Sequence, residues 1–157
     1  MKPLNVILAD NQSLTRNGII NILTAHYGKS INIIEVKTKD ELFESILKLK
    51  LFDFNDITEL VEIKRIHPYI GILVVSDNKS PNEVMKVIDT GIKNYVFKSC
   101  EAEEFLEAFN ATLISKKYFC NASMDIILEH KTTPKNTFDS KSLTSSEIAI
   151  VKLITLG

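Results

Sequence analysis

The sequence predicts an α/β domain built on a doubly wound, mainly parallel sheet, and three observations carry that expectation. Short β-branched apolar runs alternate with longer stretches of helical period, the pattern of strands joined by crossover helices. Three of the runs end in residues that handle charge: Asp10 with Asn11, Ser76, and Lys98. Ligands of open parallel sheets bind in the crevice outside the carboxyl ends of the strands. At 157 residues, the chain holds one full domain and a fragment of a second, enough to bury a core without disulfide or metal staples.

Val6 to Ala9 reads as a strand buried on both faces, delivering Asp10 to the carboxyl edge. Ser13 to about His26 follows as a helix, with Ser13 available as its N-cap and Gly28 just past its end. Ile31 to Val36 is short and β-branched, hence a second strand. Thr38 caps a helix whose first turn carries Asp40 and Glu41, favourable at the positive end of the helix dipole, and which runs to about Lys48. The next clear helix is Asp56 to Ile66, stopped by His67 and Pro68. Leu47 to Asn55 therefore has to end one helix, form a strand and supply a loop, and it is too short for all three. A strand over Lys50 to Phe54 is the most it can offer, and its lysines make it alternate, unlike a strand buried on both faces.

The pattern then recovers. Gly71 to Asp77 is a strongly apolar strand. Ser80 and Pro81 open a helix to about Thr90, with Gly91 beyond it. Lys93 to Lys98 is another strand and Glu101 to about Ser115 another helix, in which Phe105, Leu106 and Phe109 read as core. Ala122 to His130 is a short helical continuation. Residues 1–130 thus make one domain and 131–142, polar and aperiodic, a linker. Residues 143–157 begin a second domain with a helix, capped by the Thr144 and Glu147 box and striped by Ile148, Val151, Ile154 and Leu156.

Nineteen basic and twenty acidic residues give no bulk field that announces nucleic acid or an anionic membrane. Cys100 and Cys120 stand in no metal or redox spacing, and His26, His67 and His130 are scattered, so free thiols in a reducing cytoplasm are expected. The amino-terminal apolar run is far shorter than a signal-peptide core or membrane span, which favours a soluble protein with no membrane partner. Lys116 and Lys117 close a helix, where cations suit the dipole without any nucleic acid. Five glycines spread singly along the chain supply no phosphate-cradling loop, which disfavours a nucleotide- or flavin-binding enzyme.

A carboxylate, a hydroxyl and an ammonium at one sheet edge suit a magnesium-assisted phosphoryl site, with oxygen ligands for the hard cation and a hydroxyl and a cation for phosphate oxygens. Here the sequence resembles the receiver domain of two-component response regulators of the LuxR/NarL type. Val6 to Gly18 is similar to that family's first strand, acidic pair and helix. Val74-Val75-Ser76 matches the strand whose hydroxyl contacts the phosphoryl group, and Gly91 to Lys98 the fifth strand with its lysine and its switch aromatic, Tyr95. Leu143-Thr144 through Glu147 to Gly157 resembles the opening helix of a helix-turn-helix DNA-binding domain.

The resemblance implies a flavodoxin-like (CheY-like) five-stranded sheet in the order 2-1-3-4-5. It also implies a non-enzymatic regulator whose partners are a sensor histidine kinase, a second copy of the chain and, through the remainder of the C-terminal domain, DNA. Asp10 and Asn11 would hold Mg2+, Ser76 and Lys98 would bind the phosphoryl group, and Ser76 with Tyr95 would report it. Asn11 replaces the usual second acidic residue and offers no charge to the metal. The third strand and its acceptor aspartate are missing, leaving Asp53 as the one carboxylate within reach. Either an ordinary receiver has lost residues from this sequence, or the receiver is degenerate and serves as a phosphorylation-independent dimerisation or interaction module. The first is favoured, because strands one and four need a shared neighbour and because Ser76, Tyr95 and Lys98 are all retained.

Overall fold

The chain opens with β1 (Leu4–Ala9), whose residues Val6, Ile7 and Leu8 are almost wholly removed from solvent, as a strand covered on both faces requires. The computed structural model describes residues 3–10, 12–38, 41, 58–77, 80–132 and 148–154. Helix α1 (Ser13–Tyr27) follows, then a single 3-10 turn at Gly28–Ser30 and β2 (Ile31–Val36). Gly28 ends the helix at φ 55°, a left-handed conformation that costs glycine nothing. Ser13 is the first helical residue rather than the cap; Gln12 holds the cap position in extended conformation. Thr38 behaves as predicted, accepting the Glu41 N–H at 3.2 Å while Glu41 Oε2 accepts the Lys37 N–H at 2.7 Å.

The second half alternates regularly: α2 (Thr58–Ile66), β3 (Gly71–Ser76), α3 (Pro81–Asp89), β4 (Asn94–Phe97), α4 (Ala102–Leu113), β5 (Tyr118–Phe119) and α5 (Asn121–Thr132). Glu83 reaches back to the start of α3, accepting from the Ser80 N–H at 3.0 Å and its hydroxyl at 2.8 Å, and Pro81 occupies the first helical turn. The two-residue β5 has no counterpart in the sequence-based expectation, and α5 extends to Thr132, into the predicted linker. Chain travel from β1 to β2 and from β3 to β4 runs in opposite directions across the sheet, so right-handed crossovers put α1 and α3 on opposite faces. Tyr27 of α1 packs on Phe109 of α4 at 5.5 Å between ring centroids and donates its hydroxyl to Asn110 at 2.5 Å, which fixes α4 on the α1 side. The doubly wound α/β class is therefore as predicted.

The centre of the sheet is not. The predicted order 2-1-3-4-5 becomes a six-stranded sheet ordered β2-β1-β6-β3-β4-β5, in which β6 (Ile148–Ile154) runs antiparallel to both neighbours. Its register pairs Ile150 with Ala9 and Ile154 with Asn5 on one side, and Ile148 with Ser76 and Leu153 with Gly71 on the other. The slot that a third parallel strand would take is filled from the far end of the chain.

This corrects the helix predicted over 143–157, at least for its described part. The reason is tertiary: β1 and β3 each present an inner edge of backbone donors and acceptors that must be paired once buried. A segment with Ile148, Ile150, Val151 and Ile154 is β-branched enough to take the place. Asn11, Asp53 with the proposed Lys50 to Phe54 strand, the helix from Thr38 beyond Glu41, the linker from 133 to 142, and the capping pair Thr144 and Glu147 lie outside the described residues.

Val151 is the backbone partner of both Leu8 and Leu73, so a proline there removes a donor from an interior ladder. Val151→Pro is expected to lower the unfolding free energy by about 3 kcal/mol or more, read as a reduced urea midpoint. An unchanged midpoint would contradict a central β6.

Candidate functional site

The site is assembled at the carboxyl edge of β1, β3 and β4. Asp10 follows β1 directly and is 5% exposed. Two contacts fix it. Its Oδ1 accepts the Gln12 N–H at 2.7 Å, the two-residue loop that aspartate side chains commonly make. Its carbonyl accepts from Nη1 of the buried Arg16 at 2.7 Å, and Arg16 Nε in turn reaches Glu35 Oε2 on β2 at 3.2 Å. Arg16 lies one turn into α1 and ties that helix to the ends of β1 and β2. Its position four residues after Gln12 was the available signal, and sequence reasoning missed it.

Lys98 arrives from the other side of the sheet because β4 lies beside β3, the Lys98 N–H donating to the Ser76 carbonyl at 2.7 Å. Its ammonium donates to Gln12 Oε1 at 2.9 Å and lies 3.5 Å from both Asp10 Oδ2 and Asp77 Oδ2. Asp10 Oδ2 is buried and makes no hydrogen bond, so its compensation is the nearby ammonium, an ion pair rather than a bonded contact. Gln12 and Asp77 are further site residues that the sequence reading did not single out.

Ser76 ends β3 and is fully buried, as is Tyr95. The Ser76 hydroxyl donates to the Asp77 carbonyl at 2.9 Å. Having one proton, it receives the Tyr95 hydroxyl as donor in the short contact between the two side chains. Tyr95 is thus turned inward, edge-on to Phe97 at 5.5 Å, and burial pushes its phenol up to about 12. The predicted set Asp10, Ser76, Tyr95 and Lys98 falls into two groups at this edge: Asp10 with Lys98 and Gln12, and Ser76 with Tyr95.

The magnesium implied by the resemblance needs about six oxygen ligands. The described residues offer one orphaned carboxylate oxygen, Asp10 Oδ2, with an ammonium already beside it, and hold no cluster of three or more His, Cys, Asp or Glu able to bind a metal. This arrangement of the described donors does not fit the ion.

No protein-family model matches the chain. The response regulator protein VraR of Staphylococcus saprophyticus is 25% identical over 166 aligned positions that cover 99% of this chain and 77% of that protein. The nitrate/nitrite response regulator protein NarP of Escherichia coli K12 is 24% identical over 165 positions, covering 99% and 76%. Among solved structures, the isolated REC domain of RcsB from Salmonella enterica serovar Typhimurium, in the presence of phosphomimetic BeF3-, matches with a TM-score of 0.68 at 23% identity. That match covers 80% of this chain and 99% of the other.

The fold is that of a response-regulator receiver domain, and the chain's homologues are response regulators of the LuxR/NarL type. Both alignments run longer than the 157 residues of this chain, so the relatives carry residues that it lacks. No helix among the described residues is long and apolar enough to cross a membrane.

Two variants separate the groups. Tyr95→Phe removes one buried hydrogen bond while Ser76 keeps the Asp77 carbonyl, and is expected to cost about 1 kcal/mol. A phenol raised in the folded state loses its stabilising effect as pH rises from the ordinary tyrosine range near 10 to about 12. The stability difference between wild type and variant should therefore narrow over that window; a constant difference would contradict the inward phenol. Lys98→Met strands the Asp10 carboxylate, and is expected to lower stability by about 2 kcal/mol at pH 7, less than for a fully buried pair. An unchanged urea midpoint in Lys98→Met would mean that the ammonium does not compensate the carboxylate.

Proposed function

We propose that this chain is the receiver part of a two-component response regulator of transcription and that, in the arrangement seen, it works as an interaction module without accepting a phosphoryl group. The observation that carries this reading is that the switch pair is already closed. Tyr95 is inside and bonded to Ser76, and Lys98 is engaged by Gln12 and Asp10. Such contacts would set the output faces of α3, β4 and α4 by packing alone. Residues 1–130, with the strand Ile148–Ile154 completing the sheet, would be the receiver, and a DNA-reading output domain would belong to chain beyond them. A second copy of the chain is the partner such a module would dock, in the cytoplasm.

A second reading is favoured by the retention of Asp10, Ser76 and Lys98 at one edge. In it Asp53 attacks the phosphohistidine of a sensor kinase, the O–P bond forming as the N–P bond breaks. Ser76 and Lys98 would then bind the phosphoryl oxygens, and Asp10 and Asn11 would be the residues to hold Mg2+ if the ion were bound.

Intact mass after incubation with acetyl phosphate and Mg2+ decides between the two. The first reading expects the unmodified mass of the 157-residue chain. A single phosphoryl adduct that disappears in Asp53→Asn would overturn it and establish the second.

A further inference from the structure

We propose that the sheet edge opposite Asp10 and Lys98 carries a second site, a small cavity that binds phosphate, free or on a small molecule, through Lys64, Lys93 and the Asn94 carboxamide. The inference goes beyond the receiver reading and uses none of its site residues.

The cavity lies where β3 and β4 begin and α2 and α4 end, and its volume is about 150 Å³. That is on the order of the space that holds one benzene molecule, so a phosphoryl group fits with few atoms to spare. Lys64 comes from the last turn of α2 and Lys93 from the residue before β4, and both line the cavity. Its described lining includes no Asp or Glu. Two ammonium groups thus share one concavity with no described carboxylate on its wall.

Lys64 is half-buried. Its Nζ donates to the Ile70 carbonyl at 2.9 Å and keeps two further N–H donors. Burial, and then the positive charge of Lys93, hold its ammonium below the usual lysine range. An anion seated between the two lysines would offset that repulsion and accept from the remaining donors.

Asn94 is the independent observation. It lines the same cavity while only 4% exposed, and its Oδ1 is enclosed with no hydrogen bond among the described residues. Buried polar side chains are rarely left so. Rotation of the carboxamide turns either its acceptor or its two N–H donors toward the cavity. Phosphate near its second pKa, about 6, offers both accepting oxygens and a donating hydroxyl, so it suits either presentation.

Helix ends account for part of the charge, because α2 and α4 both finish here and cations suit the dipole at that end. They account for Lys64. Lys93 stands on neither helix, and the Asn94 carboxamide is uncharged. Among oxyanions, a phosphoryl group carries about −1.5 to −2 near pH 7, which matches two ammonium groups better than the single charge of a carboxylate.

The test is an amide NMR titration of the full 157-residue chain, with sodium phosphate exchanged for chloride at constant ionic strength. Phosphate should give saturable shifts centred on Ile70 to Ile72, Gly91 to Asn94 and Ser115, reversed by dialysis. Lys93→Gln, at an exposed position, should weaken binding about tenfold, the loss of one charge-assisted contact. Lys37→Gln, the same loss of charge at an exposed position just past the carboxyl end of β2, should leave binding unchanged. Acetate should bind more weakly than phosphate. Glycerol phosphate separates the sources: tighter binding of the ester assigns the site to phosphorylated small molecules, tighter binding of the free ion to inorganic phosphate, and either supports it.

Shifts that stay linear to high phosphate, or that centre on Gln12, Asp77 and Lys98, would overturn the inference. So would equal weakening by Lys93→Gln and Lys37→Gln, which would reduce the effect to net charge, or acetate binding as tightly as phosphate. No covalent adduct is involved, so failure here leaves the receiver reading standing.

Discussion

The pairing of the two inner strand edges is the constraint on which the rest of this molecule depends. β1 is buried through its middle and β3 along nearly all its length, and neither can leave a row of backbone donors and acceptors open in the interior without a penalty that a marginally stable domain does not survive. The stretch that would have supplied an intervening parallel strand, Leu47 to Asn55, is too short for its tasks. In the structure the gap is closed by β6, drawn from the opposite end of the chain and running antiparallel. Asp10 and Ser76, which sit at the ends of β1 and β3, owe their separation to that strand.

The direction of β6 has a chemical consequence. A parallel central strand delivers its last residue to the edge where Asp10, Ser76 and Lys98 gather. An antiparallel one delivers its first, Ile148, beside Ser76. Among the described residues the edge gains no carboxylate in exchange, and the polar groups there turn to one another. Lys98 takes Gln12 and approaches Asp10, and Tyr95 takes Ser76. Of this set, Asp10 Oδ2 is left without a hydrogen bond and has the Lys98 ammonium 3.5 Å away.

Much of this was legible in the sequence. Short β-branched and apolar runs located β1, β2, β3 and β4; β3 and β4 are buried almost throughout, whereas β2 keeps most of its residues at least partly exposed. Ser80 with Pro81 marked a helix start through a cap that acts locally. Strand-end polarity found Asp10, Ser76 and Lys98 because sheet geometry alone brings such ends together.

What stayed hidden depends on distant partners. The Arg16 bonds to Asp10 and Glu35 span two elements, and Gln12 matters because Lys98, 86 residues away, ends beside it. The residues from 148 to 154 satisfy the local rules for a helix and are a strand because of two edges that no local pattern can see. Their helix signal and their observed conformation are both physical; which prevails is a property of the sheet.

The central claim is best tested by residue-resolved amide hydrogen exchange on the intact chain. A strand paired on both sides within the core should protect the amides of 149–153 to the same degree as those of Val6 to Leu8 and Leu73 to Val75, all exchanging by the global unfolding route. Amides of 149–153 that exchange orders of magnitude faster than those of β1 and β3 would contradict a sheet completed by the C-terminal segment, and the account built on it.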